Sequence, residues 1–468
     1  MGEPRTIHFV SLGCAKNRVD TEVMLGVSGE SGYEIVEDPA AAEVIVVNTC
    51  GFIGPAKEES IETILEMGGH KQSGSCKKLV VAGCLSQRYP DELAGELPEV
   101  DHFLGSSDML KLGPVLRGTQ ERMLVGNPAQ YTMRADDPRV LTGQTHRAYV
   151  KIAEGCNREC SFCAIPSFRG KQRSRPIADL VSEAERLVAA GVVELNLISQ
   201  DTIAYGRDLP GRQSLADLLV ALGDVDGVHW VRAHYLYPET LSDALVEVLS
   251  QHDKVLPYID MPLQHASDAM LRAMRRGHGG DRMYKVVERL RRALPDSVFR
   301  TTFIVGHPGE TEQDFDELRQ FVEWGEFDHV GVFLYSTEEG TRSAELGAPV
   351  DPSVAEERRA RLMSIQKPIS RDRLELRVGT ELDVLVEGIS DESDLLLQGR
   401  WWGQAPEVDG SVYLANGTAR AGEIRRVLVT DAADYDLMAD FIDAPGGRDA
   451  PPDAKDPRPP KVKLRTLS

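Results

Sequence analysis

Ala148-Tyr-Val-Lys-Ile-Ala153 runs through Glu-Gly straight into Cys156-Asn-Arg-Glu-Cys160-Ser-Phe-Cys163, a strand-like segment feeding a C-x3-C-x2-C loop. Three thiolates can hold three irons of a cubane cluster and leave the fourth iron open to a substrate, whereas a fully ligated cluster mainly transfers electrons. Zinc is the other reading of the run. Zinc usually takes four ligands, commonly from C-x2-C pairs. No second pair lies nearby, and His146, the nearest upstream histidine, precedes the strand.

Downstream, further strand-like runs recur at helix-length intervals. They are Val192-Val-Glu-Leu-Asn-Leu-Ile-Ser199, Trp230-Val-Arg-Ala-His-Tyr235, Tyr258-Ile-Asp-Met261, Phe299-Arg-Thr-Thr-Phe-Ile-Val305 and His329-Val-Gly-Val-Phe-Leu-Tyr335. Helical stretches such as Ile177–Ala190 and Asp281–Ala293 lie between them. Six βα units predict a partial (β/α)6 barrel over residues 142–373, with catalytic groups at the carboxyl ends of its strands. A loop with three thiolates after the first strand of such a barrel is the arrangement that adenosylmethionine radical chemistry needs.

Upstream, Thr6-Ile-His-Phe-Val-Ser-Leu12, Val44-Ile-Val-Val-Asn48 and Leu79-Val-Val-Ala82 alternate with helices expected over Asp20–Ser31 and from Pro55 to Glu66. Short Val/Ile/Leu runs separated by helices predict a parallel α/β sheet over residues 5–120. Cys14, Cys50 and Cys84 then share the carboxyl edge of that sheet, where open α/β sheets bind ligands. A buried structural cysteine is common in such sheets, but three at one edge, two of them preceded by Gly13 and Gly83, point to a second cluster. The seventh cysteine, Cys76, lies in a polar Ser-Gly-Ser-Cys-Lys-Lys stretch and reads as a loop thiol outside both sets. Arg134 to His146 reads as a linker.

A charged helix, Val354 to Leu376, leads into a β-rich segment over residues 376–444, with strands expected at Glu381–Val386, Asp394–Gln398, Ser411–Leu414 and Ile424–Val429. Its size suits a small OB-like barrel. Residues 376–444 hold about five basic and fourteen acidic side chains. The Pro/Lys/Arg-rich tail, 445–468, is expected to be disordered. The formal net charge of the 468 residues is −21. That opposes non-specific attraction to nucleic acid and favours a basic partner, or serves solubility alone. No apolar run is long enough for a bilayer, and the start lacks the core and cleavage site of a signal peptide. The expectation is therefore a cytoplasmic protein with reduced thiols and no membrane partner.

Gly155-Cys-Asn-Arg-Glu-Cys-Ser-Phe-Cys-Ala-Ile-Pro-Ser-Phe-Arg-Gly170 resembles the radical adenosylmethionine superfamily. The larger frame resembles the methylthiotransferases, which join a three-cysteine domain, a radical core and a TRAM domain. Within them the chain is most similar to the branch that modifies a ribosomal protein. The blocks that carry this are Ser11-Leu-Gly-Cys-Ala-Lys-Asn-Arg-Val-Asp-Thr-Glu22, Asn48-Thr-Cys-Gly-Phe-Ile53, Glu194–Asp201, Met261–His265 and Phe303–Glu310. The resemblance spans about Thr6 to Ala444. It departs at Ala15, where proline is usual, and at His307, where phenylalanine is more usual; neither touches a cysteine.

The resemblance implies two [4Fe-4S] clusters, one on Cys156, Cys160 and Cys163, the other on Cys14, Cys50 and Cys84. The first would reduce adenosylmethionine to a radical that takes hydrogen from the β-carbon of an aspartate in a small-subunit ribosomal protein, free or within the subunit. The second would carry the sulfur, and a second adenosylmethionine would supply the methyl group. An unactivated C–H bond is too strong for acid–base catalysis, so a cofactor must carry that step. An electron donor such as flavodoxin or ferredoxin is implied as a partner.

Expected contacts to adenosylmethionine are Phe162 over the adenine, Gln200 and Gln264 at strand ends, and Gly306 for close backbone approach. Core packing for Phe162, loop capping for the glutamines and turn geometry for Gly306 account for the same residues without a ligand. The Trp401–Trp402 pair is expected in the core of the small barrel rather than at its surface. A methylthiotransferase acting on adenosine in tRNA would share clusters, core and TRAM domain. It should carry a basic TRAM surface, and this one is acidic. A non-catalytic iron–sulfur electron carrier would not need a barrel around an open iron. A plain RNA-binding adaptor leaves six cysteines unexplained.

Overall fold

The computed structural model describes residues 5–238, 241–442 and 463–465. Strands β1 (Arg5–Leu12), β2 (Tyr33–Ile35), β3 (Val44–Thr49), β4 (Lys78–Gly83), β5 (His102–Leu104) and β6 (Met123–Leu124) form a parallel sheet in the order β2-β1-β3-β4-β5-β6. The central strands are buried along most of their length, as continuous Val/Ile/Leu runs between helix layers require. The first helix, Ala15–Glu30, begins immediately after Cys14, five residues earlier than the apolar pattern suggests.

The barrel strands are β7 (Arg147–Lys151), β10 (Glu194–Ile198), β11 (Trp230–Ala233), β12 (Tyr258–Asp260), β13 (Val298–Val305) and β14 (His329–Leu334). They coincide with the six expected runs. Two parallel three-stranded sheets, β11-β10-β7 and β12-β13-β14, meet through a bridge between Val231 and Val255. Between β7 and β10, a short antiparallel ribbon of β8 (Ala153–Glu154) and β9 (Arg173–Ser174) pinches together the two ends of the cysteine loop.

The helix Pro352–Glu375 leads to β15 (Glu381–Ile389), β16 (Leu397–Trp401), β17 (Val412–Ala415), β18 (Ile424–Ala432) and β19 (Leu437–Phe441), a closed five-stranded barrel. β16 starts three residues later than the run Asp394–Gln398 suggests, and β19 was not anticipated. Trp401 is buried in this barrel's core and Trp402 is half-buried against it. The core continues onto Trp230, Tyr258 and Val298, the first residues of β11, β12 and β13. The small barrel therefore packs on the amino ends of the large barrel's strands, opposite the cysteine loop.

One expectation needs correction and two gain detail. Lys463–Arg465 form a strand, β20, parallel to Val10–Leu12 of β1, so this part of the tail is not disordered; the rest of the tail, 445–462 and 466–468, lies outside the described residues, as do 443 and 444. Cys76 lies, as expected, in a loop outside both cysteine sets, before β4, and its side chain is 6% exposed, packed with Leu79, Leu93 and Leu97. The stretch 134–146 is tied down: Arg139 pairs with Glu22 of the first helix and Glu183 of a barrel helix, each at 2.6 Å. Among the described residues no helix is long and apolar enough to cross a membrane.

Candidate functional site

Cys14, Cys50 and Cys84 follow β1, β3 and β4, so chain distance is converted into proximity at one sheet edge. Gly13 has φ +90°, and a Cβ there would lie 2.8 Å from Cys50 Cβ, so glycine is what lets the two cysteine turns touch. Asn17 ties the edge together. Its Nδ2 donates to Leu12 O at 3.0 Å and Thr49 O at 2.9 Å, while Oδ1 lies 3.5 Å from Cys84 Sγ. Cys50 and Cys84 are buried and Cys14 is exposed.

Cys156, Cys160 and Cys163 lie in the loop between β8 and β9. Gly155, at φ +76°, turns the chain where a Cβ would meet Lys171 O at 2.3 Å. Cys156 N then donates to Gly170 O at 3.0 Å, closing the loop on itself. Arg158 N donates to Cys156 Sγ and Arg276 Nη1 to Cys160 Sγ, both at 3.3 Å. Ser161 is held by Ala273 O at 2.7 Å and by Ser343 Oγ at 2.8 Å, and Ser343 in turn meets His307 Nε2 at 2.8 Å. The histidine that departs from the family pattern thus braces the cysteine loop from behind.

All seven cysteines are free thiols. Burial pushes Cys84 up to about 11, against the pull of Arg169. It pushes Cys156 to about 11 and Cys163 to about 12, with neighbouring cysteines of the loop adding to the rise in each. Cys50 rises through burial and then through Cys84 and Cys14. Burial disfavours the thiolates of Cys50, Cys84, Cys156 and Cys163, and a cationic centre removes that penalty. Among the described residues no group of three His, Cys, Asp or Glu side chains is gathered to hold a single metal ion. A single zinc needs every sulfur at about 2.3 Å from one point. A four-iron cluster spreads its thiolates over different irons, and three cysteine sulfurs are the donor chemistry such a cluster takes.

The two sets face each other. Arg169, six residues beyond Cys163, places Nε 3.3 Å and Nη2 3.1 Å from Cys84 Sγ, and Nη2 2.7 Å from Asn17 Oδ1. Its Nη1 pairs with Asp20 at 3.0 Å and Glu154 at 3.1 Å. Lys151 joins the same two carboxylates, at 2.5 Å for Glu154. Burial works against the Glu154 charge, but Lys151 and Arg169 hold it well below the usual carboxylate range. Across the barrel opening, Lys57 and Arg88 of the sheet domain reach Glu338, beyond β14, at 2.8 and 2.7 Å. The sheet domain therefore spans from β14 back to β7 and lies over the barrel mouth. Neither Asn17 nor Arg169 was singled out from sequence, although both fall inside cysteine blocks that carry the resemblance.

The other expected residues are distributed around the same mouth. Gln200 follows β10; its Nε2 is 3.5 Å from Glu154, and its Oε1 is buried without a partner. Gln264, at φ +73°, lies between β12 and β13 and exchanges backbone hydrogen bonds with Thr302 and Ile304. Phe162 is half-buried in the cysteine loop. Gly306 follows β13, but the space of its missing side chain is taken by Ala355 at 2.8 Å, which accounts for the glycine by helix packing. A cavity of about 310 Å³ opens beside the loop, lined by Asn157, Arg158, Gln172, Asp201 and Arg207 among others.

Residues 6–105 match the uncharacterized protein family UPF0004, residues 150–322 the radical SAM superfamily, and residues 378–442 the TRAM domain. An iron–sulfur cluster and adenosylmethionine belong to the second of these. The ribosomal protein uS12 methylthiotransferase RimO of Sorangium cellulosum is 62% identical over 94% of this chain and 91% of its own length. That of Anaeromyxobacter is 50% identical over 97% and 96%. Among solved structures, the radical S-adenosylmethionine methyltransferase TsrM from Kitasatospora setae superposes with a TM-score of 0.55 over 79% of this chain and 92% of its own, at 14% identity, a likeness of fold alone. With sheet, barrel and small barrel all matched and relatives this similar over nearly its whole length, the chain belongs to the RimO family of radical SAM methylthiotransferases.

Proposed function

We propose that this chain inserts a methylthio group at the β-carbon of an aspartate in ribosomal protein uS12, the protein named for its relatives. The observation that carries the reading is the meeting of two cysteine triads across one mouth, linked by Arg169. Residues 5–120, 142–373 and 376–444 form the auxiliary, radical and TRAM domains in this reading. Cys156, Cys160 and Cys163 would hold one [4Fe-4S] cluster, and Cys14, Cys50 and Cys84 a second. When bound, the clusters and adenosylmethionine supply the electron, the radical, the sulfur and the methyl group.

The chain's own residues position and seal. The β8–β9 ribbon and the Ser161–Ser343 contact fix the loop thiols. Asn17 holds two cysteine-bearing strand ends at a set spacing, and Arg169 links that edge to the barrel. The sheet domain covers the mouth and excludes water, which protects reactive species from side reactions. Gln200, with an unpartnered Oε1 at the mouth, is the strongest of the four expected contacts to adenosylmethionine; Phe162, Gln264 and Gly306 complete the proposed set. A redox protein such as flavodoxin or ferredoxin is the proposed electron donor, and the cytoplasm the proposed compartment.

The test is an anaerobic assay of the cluster-reconstituted, reduced protein with adenosylmethionine. Ribosomal protein uS12 and bulk tRNA compete in one tube, and both are read by mass spectrometry. A methylthio gain on the uS12 aspartate is expected. A gain on tRNA adenosine instead would overturn the substrate and leave the clusters standing.

A further inference from the structure

Lys16 stands two residues beyond Cys14, and its side chain leaves the sheet domain for the barrel mouth. Its Nζ lies 3.9 Å from the ring centroid of Tyr235, just past the end of β11. The charges that act on it come from both sides of the mouth: Cys14 on the sheet edge, and Arg169, Glu154 and Asp260 at the ends of the barrel's loops and strands. Yet none of those carboxylates is available to it. Glu154 is engaged by Lys151 at 2.5 Å and Arg169 at 3.1 Å. Asp260 is engaged by His234 at 3.0 Å and by Tyr235 N at 3.3 Å.

Among the described residues Lys16 makes no ion pair and no side-chain hydrogen bond; the face of Tyr235 is its one direct partner. By contrast, Lys151, Arg169, Arg88 and Lys57 at this mouth each meet a carboxylate. A half-buried ammonium resting only on an aromatic face is weakly satisfied, and a carboxylate is the stronger partner. Two residues beyond Cys14 and against Tyr235, just past β11, it stands between the sheet edge and the barrel.

Resting on the function proposed above, we infer that Lys16 reads the carboxylate of the target aspartate and so sets the enzyme's choice of an acidic residue over its amide. The aspartate would exchange Tyr235's face for an ion pair with Nζ. Its β-carbon, one bond from that carboxylate, would then be held over the barrel mouth. Lys16 is thus a substrate-binding, specificity-setting residue, distinct from the cluster ligands.

The test is binding of two forms of ribosomal protein uS12, the natural one and one with the target aspartate changed to asparagine, to the anaerobic, cluster-reconstituted protein with adenosylmethionine. The unaltered protein is expected to prefer the aspartate form by about 10- to 100-fold, the range for one charge-assisted hydrogen bond. Lys16→Met is expected to bind both forms at the weaker affinity, and Lys16→Arg to keep the preference. A Lys16→Met protein that still prefers aspartate, or that weakens both forms equally, overturns the inference. Equal affinity of the unaltered protein for the two forms overturns it as well, without any variant having to fold. If the unaltered protein ignores both forms and modifies tRNA, the proposed function itself has failed, which is a separate and recognisable result.

Discussion

Arg169 is 2% exposed, and its guanidinium answers two carboxylates, one amide oxygen and one cysteine sulfur. Removing one partner from a buried charge network leaves the others uncompensated, at a cost of about 3–5 kcal/mol. Arg169→Met should lower the unfolding free energy by that order in urea titration of the cluster-free protein. In the reconstituted protein it should also change the electron paramagnetic spectrum of the Cys14–Cys50–Cys84 cluster, which a purely structural arginine would not touch. Arg169→Lys restores a charge but not the fork that reaches Cys84 and Glu154 together, so only partial recovery is expected. An unaltered auxiliary-cluster spectrum in both variants would reduce Arg169 to a domain tie. The two sets of three cysteines stand out in the sequence because their types and spacing are themselves the signal. Asn17, Lys16 and Arg169 do not, because their meaning lies in partners far along the chain, Tyr235 for Lys16 and Asn17 for Arg169, and no local pattern records such a meeting.

The ribbon of β8 and β9 is the element that closes the loop carrying Cys156, Cys160 and Cys163. Two residues on each side pair, Ala153 with Ser174 and Glu154 with Arg173, and the cysteines lie between. The loop closes only because Gly155 takes φ +76° with Gly170 O and Lys171 O where a Cβ would be. Gly155→Ala would have to move that backbone, a local strain of about 1–3 kcal/mol. The expected outcome is a folded protein that reconstitutes with about half the iron and acid-labile sulfide, the auxiliary cysteines still loading. Full iron content in the variant would show that the loop yields more easily than its geometry implies. Pairs of this length escape a sequence reading, as do β2 and β5, because periodicity needs four or more residues to register. The six barrel strands were legible because they are apolar runs separated by amphipathic helices. β19 was missed because Leu437-Met-Ala-Asp-Phe441 is short and flanked by acidic residues that resemble a loop. Cys76 was legible as a loop thiol but its burial was not, because its polar neighbours face out while its own side chain packs inward.

At the scale of the molecule the three domains meet through carboxylates of the barrel and the TRAM domain. Glu194, at the foot of β10, takes Arg400 at 2.6 Å and Arg232 at 3.2 Å; Asp409 takes Arg300 at 2.7 Å; Glu407 takes Arg147 at 3.0 Å and also Arg18 of the sheet domain. Burial opposes all three charges, but Arg400 and Arg232, His329 and Arg300, and Arg147 and Arg18, respectively, hold them down to about 2. Unfolded carboxylates titrate near 4. With the folded values lower, the stabilisation is complete above about pH 4 and is lost as pH falls toward 2. Urea midpoints should therefore fall steeply between pH 4 and pH 2.5, and Glu194→Gln should flatten that slope while costing stability at pH 7. This anchoring spends the TRAM domain's inner carboxylates on the barrel and leaves others free to act outward. Asp391, Glu392 and Asp394 are exposed in the turn between β15 and β16, on a domain seated away from the cysteine mouth. A basic ribosomal protein meeting both would be steered by one end of the molecule and modified at the other. Changing those three residues to lysine should slow association of uS12 about tenfold or more at low salt, with the difference vanishing near 1 M salt as screening shortens to about 3 Å. An association rate indifferent to the reversal at low salt would assign the acidic surface to solubility alone.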